Sequence, residues 1–462
     1  MTRQQTAPRT AQAVTYVRDC YGRLHRVGET DRELPGPGGR RLVLWLAWGA
    51  MLGAGVLQYG FALTALPLHG ARGTFAVLAV WTVCQAAAVP VAHLLRARRK
   101  AEPGGLVLLG GGCCAGALAI AAAVAESANP AGAGGSSALL VGYGLLGGTG
   151  AGLVYAGCTA TAARWYPERA PAAVAFATGG YAYGAVLPLL LLLVLGLHGS
   201  AVAPVLGGVA GLSLLAALGC GALLRDPPEH WWPAGIDPRQ WTLDRHLNRS
   251  LRHNRPPLWE AEPRPGAGSG TWRLLYAATA LTSAALLFDL GRLAADLAAG
   301  PGTVGLWACA AFAAGSGLGR GAVGALAERF GRGTVLATAL LLGALAQPGL
   351  VGAGPAAAVC CAALAGGGTG GCYPVLVGLL RGFYGRHGGQ RAFALLYTAK
   401  AFGGAAGCAL AAFVPGTGGT GTAAAVLLAA ALAVRAARRP RPLLRLLPAA
   451  PTVTSTRTSS GS

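Results

Sequence analysis

Apolar runs recur along nearly the whole chain of 462 residues, and this pattern restricts the fold more than any other feature. A run of about 20 residues crosses a hydrocarbon core as a helix, and only 11% of the residues are charged. We therefore predict an all-α membrane protein with twelve transmembrane helices, here termed spans 1 to 12. They cover residues 42–63, 73–95, 104–126, 137–163, 171–196, 201–224, 272–295, 303–327, 334–353, 355–380, 391–413 and 420–436.

The formal net charge of +21 would suggest a nucleic-acid partner in a soluble protein, but its distribution indicates membrane topology. With a cytosolic N-terminus, the 37 Lys and Arg residues lie in cytosolic segments with four exceptions. Arg72 and Arg292 fall in outer loops, and Arg320 and Lys400 fall inside spans. By the positive-inside rule we expect a multi-pass plasma-membrane protein with both termini cytoplasmic, surrounded by lipid and without a nucleic-acid partner.

A polar segment between spans 6 and 7 divides the chain into two similar halves. We expect a cytosolic tail over 1–41, a six-helix half over 42–224, a cytosolic linker over 225–271, a second half over 272–436 and a cytosolic tail over 437–462. "GGTGAGLVY" (Gly147–Tyr155) in span 4 recurs as "GGGTGGCY" (Gly366–Tyr373) in span 10. Such a duplication predicts the major facilitator architecture, and in the linker we expect Trp231 and Trp232 to anchor at the membrane interface.

The glycine strings admit a second interpretation. Gly148, Gly150 and Gly152 have almost the spacing of a phosphate-cradling loop, as have the glycines of "GSGLGRG" (Gly315–Gly321). Both strings lie inside apolar spans, where small residues one turn apart allow helices to approach closely. We expect helix packing rather than nucleotide binding.

Only Arg320 and Lys400 are ionisable and deep within spans. They stand about eight and nine residues from the inner ends of spans 8 and 11, which is roughly 12–13 Å at about 1.5 Å per residue, so they share a depth. No carboxylate is expected at that depth. The candidates, Glu126, Asp289 and Asp296, fall at outer span ends, where Asp289 is expected to pair with Arg292.

Two cations without a protein anion predict an anionic substrate, since a buried charge at this depth is costly and calls for a functional explanation. The chain contains 35 arginines and two lysines, so a lysine at position 400 suggests that an ammonium is required. The alternatives are that Lys400 snorkels to the inner interface or bonds backbone carbonyls. Arg320 could likewise be structural, bonded to helix carbonyls or to the Glu328 end of span 8.

"GALAERFGRG" (Gly324–Gly333) resembles the cytoplasmic signature loop of major facilitator proteins. The resemblance implies a gating loop with Glu328, Arg329 and Arg332, in which Glu328 and Arg329 form a charge clamp. An ordinary positive-inside turn is the alternative. The first half has the basic cluster at 93–105 but lacks the acidic part of the signature.

Four stretches together resemble the oxalate/formate antiporter family of the major facilitator superfamily: "YTAKAFGG", "GLGRGAVGALAERFG", the segment 152–187 and "DPPEHWWPAGIDP". The resemblance implies alternating-access transport of a small mono- or dicarboxylate such as oxalate, formate or lactate, held by Arg320 and Lys400. The aromatic and polar residues expected along the route are Gln58, Tyr59, Tyr155, Tyr181, Tyr183, Tyr373 and Tyr397. For each of the last five, ordinary helix packing is the alternative.

Other functions stay open at this point. An enzyme is not expected, because the chain offers neither paired core carboxylates nor a metal-ligand pattern, and ten of its eleven cysteines lie in spans. We expect no cofactor and a monomer. A drug exporter of the same fold and a sensor-like paralogue that does not transport are the alternatives. The sequence leaves the anion, the direction and the coupling undetermined.

Overall fold

The computed structural model describes residues 14–34, 38–65, 73–98, 101–196, 199–254, 270–299, 303–352, 354–414 and 416–439. The expectations for Arg72, for Lys100, for most of the C-terminal tail and for the first thirteen residues lie outside these ranges. Within them, nearly all regular structure is helical, as predicted.

The six spans of the first half are helical at the predicted places. Two of them are interrupted, and a third contains a π-helical stretch. Span 1 is interrupted at Gly60, span 4 passes through a π-helical stretch, and span 5 breaks at Gly184 and Ala185. The helices are Arg40–Tyr59, Phe61–Ala65, Gly73–Ala97, Pro103–Glu126, Ala133–Ala138, Leu139–Gly147, Gly148–Trp165, Ala170–Tyr183, Val186–Leu195 and Ala203–Leu223.

The second half has the same number of spans with other boundaries. Its helices are Gly270–Ala299, Thr303–Phe330, Arg332–Ala346, Gln347–Leu350, Pro355–Gly370, Cys372–Leu396, Ala399–Phe413 and Gly416–Ala436. The loop expected between spans 10 and 11 is largely helical; the chain turns there at Gly385, whose φ of 88° suits glycine.

Ten helical stretches in the described part of the chain are long and apolar enough to cross a membrane. One of them, Pro355–Phe413, contains 59 residues and the turn at Gly385, so it provides spans 10 and 11. Span 8 is not among the ten, although its helix has 28 residues, because Arg320 and several glycines lower its mean hydropathy. The twelve predicted spans are thus all present.

The outer surface of the bundle is apolar and its interior contains the polar groups. Leu187, Val194 and Leu345 are 72%, 80% and 73% exposed, whereas Gln85 and Arg320 are buried. This is the reverse of a water-soluble domain and fits a bundle whose sides face hydrocarbon. The chain is a multi-pass membrane protein.

Helix pairing repeats between the halves. Spans 1, 2 and 3 pack on spans 5, 4 and 6, and in the same order spans 7, 8 and 9 pack on spans 11, 10 and 12. The halves meet where span 5 packs on span 8 and span 2 packs on span 11. These two contacts are equivalent under the repeat, so the duplication read from the sequence is present in the packing.

The glycine strings serve helix packing. A Cβ on Gly148 would lie 2.3 Å from the Trp81 carbonyl oxygen, and one on Gly152 would lie 2.5 Å from that of Gln85. Span 4 therefore approaches the backbone of span 2 at a distance that side chains would prevent. On span 8, a Cβ on Gly315 would lie 2.0 Å from the Ala363 carbonyl oxygen. The prediction of packing glycines is confirmed.

The polar tail and linker form structure that the sequence did not predict. Strands β1 (Thr15–Arg18) and β2 (Leu24–Val27) make an antiparallel hairpin, and the Trp232 backbone N–H donates to the Arg26 carbonyl at 2.9 Å. Trp231 and Trp232 are 3% and 2% exposed, so the expectation that they anchor at the membrane interface is wrong. We call this hairpin with residues 225–254 the cap, and the side of the bundle that it covers the cap face.

A buried pair stabilises the hairpin of the cap. His25 Nε2 lies 3.1 Å from Asp19 Oδ2, and the His25 ring packs edge-on against Trp232 at 4.8 Å. Burial lowers the pKa of His25, and the hydrogen bond to Asp19 offsets only part of this effect. Burial alone would raise the pKa of Asp19, but hydrogen bonds from His25 and from the Arg23 backbone outweigh it and leave that pKa lowered.

Candidate functional site

Lys400 is fully inside the protein and contacts the first half. Span 11 is interrupted at Tyr397 and Thr398, between the helices Cys372–Leu396 and Ala399–Phe413. Lys400 lies in the first turn after this break and is 1% exposed. Its Nζ donates to Gln58 Oε1 at 2.7 Å and also to Gln85 Oε1. The ammonium is therefore held by two amide oxygens from spans 1 and 2, and the snorkelling interpretation is wrong.

Arg320 lies in the middle of span 8, is also 1% exposed, and reaches across to the first half. One terminal nitrogen donates to Tyr59 Oη at 3.0 Å and the other to the Thr178 carbonyl at 3.1 Å. Tyr59 Oη in turn lies 2.7 Å from Ser316 Oγ. The alternative that Arg320 bonds a helix carbonyl agrees with the structure. The alternative that it bonds Glu328 does not, because Glu328 is bonded to Arg332.

Breaks in two spans place the polar groups. Gln58 and Tyr59 are the last residues of the first segment of span 1. Tyr397 lies in the break of span 11, and Lys400 follows the break. Discontinuous helices expose backbone and re-aim side chains at the depth where membrane transporters bind solutes. A Cβ on Gly55 would lie 1.7 Å from the Tyr181 carbonyl, so only glycine allows span 1 this close to span 5.

Aromatic rings enclose both cations. Arg320 lies over the rings of Tyr59 and Tyr181 at 5.8 and 5.7 Å. The Lys400 ammonium lies 5.3 to 5.7 Å from three ring centroids. The three rings around Lys400 are Trp81, Tyr373 and Tyr397. Tyr155 contacts both groups of rings, through Tyr181 and Tyr397, and all six rings are at most 2% exposed. Cation–π contact stabilises the charges in part but supplies no counter-charge.

No ion pair in the described part of the chain includes Arg320 or Lys400. Four buried polar atoms of the cluster have no hydrogen-bond partner in the described structure: Arg320 Nε, Gln58 Nε2, Trp81 Nε1 and Tyr155 Oη. All four can donate, so the cluster lacks acceptor oxygens and negative charge at the same place.

The structure brings the predicted residues together, with one exception and two additions. Tyr183 packs on Gly317 instead of joining the cluster. Gln85 and Trp81, both on span 2, contact Lys400 and were missed. An amide inside an apolar span, one turn from a tryptophan, is the signal that identifies them. Gln85 Nε2 also donates to Tyr181 Oη at 2.5 Å, which connects the surroundings of the two cations.

The gating-loop residues form an ion pair, but not the expected one. Glu328 accepts from Arg332 at 2.8 and 3.0 Å, and Ser250 of the cap donates to Glu328 at 2.7 Å. Arg329 lies over the ring of Phe330 instead. The chain turns at Gly331 (φ 96°) between spans 8 and 9, and this turn brings Arg332, the first residue of span 9, back to Glu328. The expected Glu328–Arg329 clamp is therefore wrong in its second partner.

The first half obtains its missing carboxylate from the cap. Asp226 Oδ2 lies 2.5 Å from Arg96 and 2.6 Å from Arg164, and its Oδ1 accepts from Thr161 at 2.8 Å. The Arg96 side chain is 4% exposed. The cap thus contacts the signature region of each half, through Asp226 in the first and Ser250 in the second.

A cavity of about 130 Å³ lies beneath the cap. Its lining includes Asp19 and His25 of the hairpin, Glu168 between spans 4 and 5, and Glu328 and Arg332. The cation cluster is buried within the bundle and the cap covers the approach from this side. The conformation is closed over the cluster.

Span 7 shows a further difference from expectation. Arg292 pairs with Asp296, one turn along the helix, and not with Asp289. Asp289 is 0% exposed and its Oδ2 accepts from Gln347 Nε2 at 3.0 Å. The expected rim pair of Asp289 with Arg292 is wrong, and a carboxyl group is buried in the second half.

A multi-pass bundle of two equivalent six-helix halves with a polar cluster between them is the major facilitator fold, and solved structures agree. The chain is similar to the major facilitator transporter FucP in its outward conformation (TM-score 0.56, 14% identity, 86% of this chain and 99% of that one). It is also similar to the E. coli fucose:proton symporter FucP (0.54, 16%, 87% and 99%) and to a partially occluded inward-open xylose transporter XylE from E. coli (0.58, 11%, 85% and 95%). No family model and no curated protein sequence matches. The chain has the major facilitator fold.

Proposed function

We propose that the protein is a secondary transporter that moves a small organic anion by alternating access. The observation that carries the proposal is the cluster around Arg320 and Lys400, in which two buried cations and four unpartnered donor groups meet no carboxylate of the described residues. The fold supports the transport part, since the similar solved structures are transporters.

The positive charge of the cluster favours an anionic substrate over a neutral sugar or a cationic drug. FucP and XylE are named for fucose and xylose, which are neutral, and a neutral sugar would leave both charges unpaired. An exporter of cationic drugs would need an acidic group beside its substrate. A mono- or dicarboxylate such as oxalate, formate or lactate supplies both the charge and the acceptor oxygens.

The cluster also suggests how binding couples to movement of the halves. Lys400 and Arg320 belong to the second half, and every hydrogen-bond partner named for them, Gln58, Gln85, Tyr59 and the Thr178 carbonyl, belongs to the first. In the proposed cycle, carboxylate oxygens replace these partners when the halves part, and the bonds between halves reform after release. Tyr155, Tyr181, Tyr373 and Tyr397 line the route.

We assign the gate on the cap face to Glu328, Arg329 and Arg332. Arg332 donates to the Gly378 carbonyl of span 10 as well as to Glu328, so these bonds hold the ends of spans 8, 9 and 10 together. We place the cap in the cytoplasm of a plasma-membrane protein, on the basis of the charge bias. Both halves lie in one chain, so a monomer contains the complete route.

Counterflow in proteoliposomes tests the proposal, with labelled oxalate, formate, lactate and pyruvate as the panel. Wild-type protein is expected to exchange at least one anion saturably, and Lys400→Ala and Arg320→Ala to lose this exchange. The matched control is Arg292→Ala, which removes a cation at the rim and is expected to retain exchange.

The proposal is overturned if no anion moves, or if both cluster variants exchange like wild type. Exchange of a cationic drug instead would favour an exporter. Binding without any flux would favour a sensor that does not transport.

A further inference from the structure

Asp289 is a buried carboxyl group that the cation cluster does not use. It lies on span 7, is 0% exposed, and its one hydrogen bond in the described structure comes from the side-chain amide of Gln347. Gln347 is also 0% exposed and begins the short Gln347–Leu350 segment at the end of span 9. Two polar side chains from different spans therefore meet in an apolar interior.

Each of these two side chains has one oxygen without a partner. Asp289 Oδ1 and Gln347 Oε1 are both buried and unbonded. If Asp289 were ionised, both atoms would be acceptors, and the one donor group of the pair, Gln347 Nε2, already donates to Asp289 Oδ2. A single proton on Oδ1 removes the charge and adds the missing donor at the same time.

The described residues place no cation beside Asp289 to neutralise it if it were ionised. On its own helix, Arg292 is paired with Asp296. On the spans packed around this end, the titratable groups in the described residues are the thiols of Cys309 on span 8, Cys360 and Cys361 on span 10, and Cys408 on span 11. Thiols carry no positive charge, and spans 9 and 12 have their basic residues at the opposite end. A bare carboxylate is strongly disfavoured here.

The position of the pair connects it to movement between the halves. Two residues after Asp289, a Cβ on Gly291 would lie 3.2 Å from Phe75 Cε1 of span 2 and 3.3 Å from the Ala411 side chain. Span 7 thus touches the first half within one turn of Asp289 along the helix, on the side of the bundle opposite the cap. Parting of the halves on that side opens the contact at Gly291, one turn or less from Asp289 along span 7.

We propose that Asp289 and Gln347 form a proton-binding site whose loading accompanies the transport cycle. The carboxyl group holds a proton in the closed state, and it exchanges the proton with water when the halves part on the side opposite the cap. Loading transfers a proton from hydronium to Oδ1 and forms the Oδ1–H bond; release breaks this bond and returns the proton to water as hydronium. The coupling part rests on the proposed transport of an anion; the proton site itself does not.

Infrared spectroscopy tests the site without any transport. At neutral pH, wild-type protein is expected to show the C=O stretch of a buried carboxylic acid, and Asp289→Asn is expected to lose it. Asp296→Asn is the control, because Asp296 is 54% exposed and pairs with Arg292. Absence of that band from wild type, or its persistence in Asp289→Asn, overturns the site. Should Asp289→Asn not fold, Gln347→Leu removes the hydrogen bond and is expected to raise the frequency of the band; an unmoved band overturns the assignment.

Proteoliposomes then test the coupling with the same anion panel. A pH gradient is expected to drive accumulation by wild type and by Asp296→Asn, whereas Asp289→Asn retains counterflow but loses gradient-driven accumulation. Equal accumulation by wild type and Asp289→Asn overturns the coupling. If no anion moves in any protein, the transport proposal fails and with it the coupling, while the infrared band still decides the proton site.

Discussion

Replacing Lys400 by methionine separates a substrate-binding cation from a structural one. Methionine keeps most of the length of the side chain and removes the charge. In the substrate-free protein the change removes the bonds to Gln58 and Gln85, but it also removes the cost of burying an ammonium. Replacing a buried charge by an apolar group of similar size is often neutral or stabilising. We therefore expect the Tm without anion to stay the same or to rise.

The effect on anion binding is expected to be large. Breaking a buried ion pair by removing one partner costs about 3–5 kcal/mol. At about 1.4 kcal/mol for each factor of ten, affinity falls roughly 100-fold to 4,000-fold. Arg320 remains, so residual binding at high anion concentration is expected.

The assay is the rise in Tm that the transported anion produces, measured over a concentration series. Lys400→Met is expected to need anion concentrations higher by the same factor, whereas Arg292→Met responds like wild type because Arg292 lies at the rim with Asp296. A wild-type response of Lys400→Met, or a collapse of its Tm without anion, would refute the reasoning.

Three further predictions concern packing, the cap and pH. Gly55→Ala is expected to cost at least about 2–3 kcal/mol of stability, because its Cβ would overlap a backbone carbonyl, whereas Gly112→Ala has open space and should leave the Tm within a few degrees. Asp226→Asn is expected to cost about 3 kcal/mol, at the lower end for a broken buried pair because Arg164 is partly exposed, and thermal unfolding measures it. Since burial lowers the pKa of His25 below its ordinary 6.5, docking of the hairpin is fully stable above that pH and weakens as pH falls through the lowered pKa. Emission of Trp232, taken as wild type minus Trp232→Phe, should follow this change, and a titration unaltered by His25→Gln would contradict it.

Much of the fold could be predicted because a chain that crosses a membrane can adopt few backbone structures. An apolar run of the right length must be a helix, and a lysine or arginine inside such a run must be accounted for, which identified Arg320 and Lys400. The repeat of "GGTG" predicted equivalent halves, and the structure places Tyr155 and Tyr373, which end the two repeats, in the same cluster.

The remainder depends on contacts between distant segments, which local patterns do not encode. Asp226 lies in a polar linker, and only folding brings it to Arg96. Asp289 was expected to pair with Arg292 from spacing alone, but helix rotation directs it toward Gln347. The hairpin of the cap is short and polar, and its strands are stabilised by Trp232, more than 200 residues away in sequence.

The central claim is that the buried cluster binds an anion, and equilibrium binding to purified protein tests it most directly. Labelled oxalate, formate and lactate are compared with labelled fucose and xylose at one pH, for wild type and for the double variant Arg320→Ala with Lys400→Ala. The account predicts saturable binding of at least one anion that the double variant abolishes, and no saturable sugar binding. Saturable binding of a sugar without binding of any anion would contradict it.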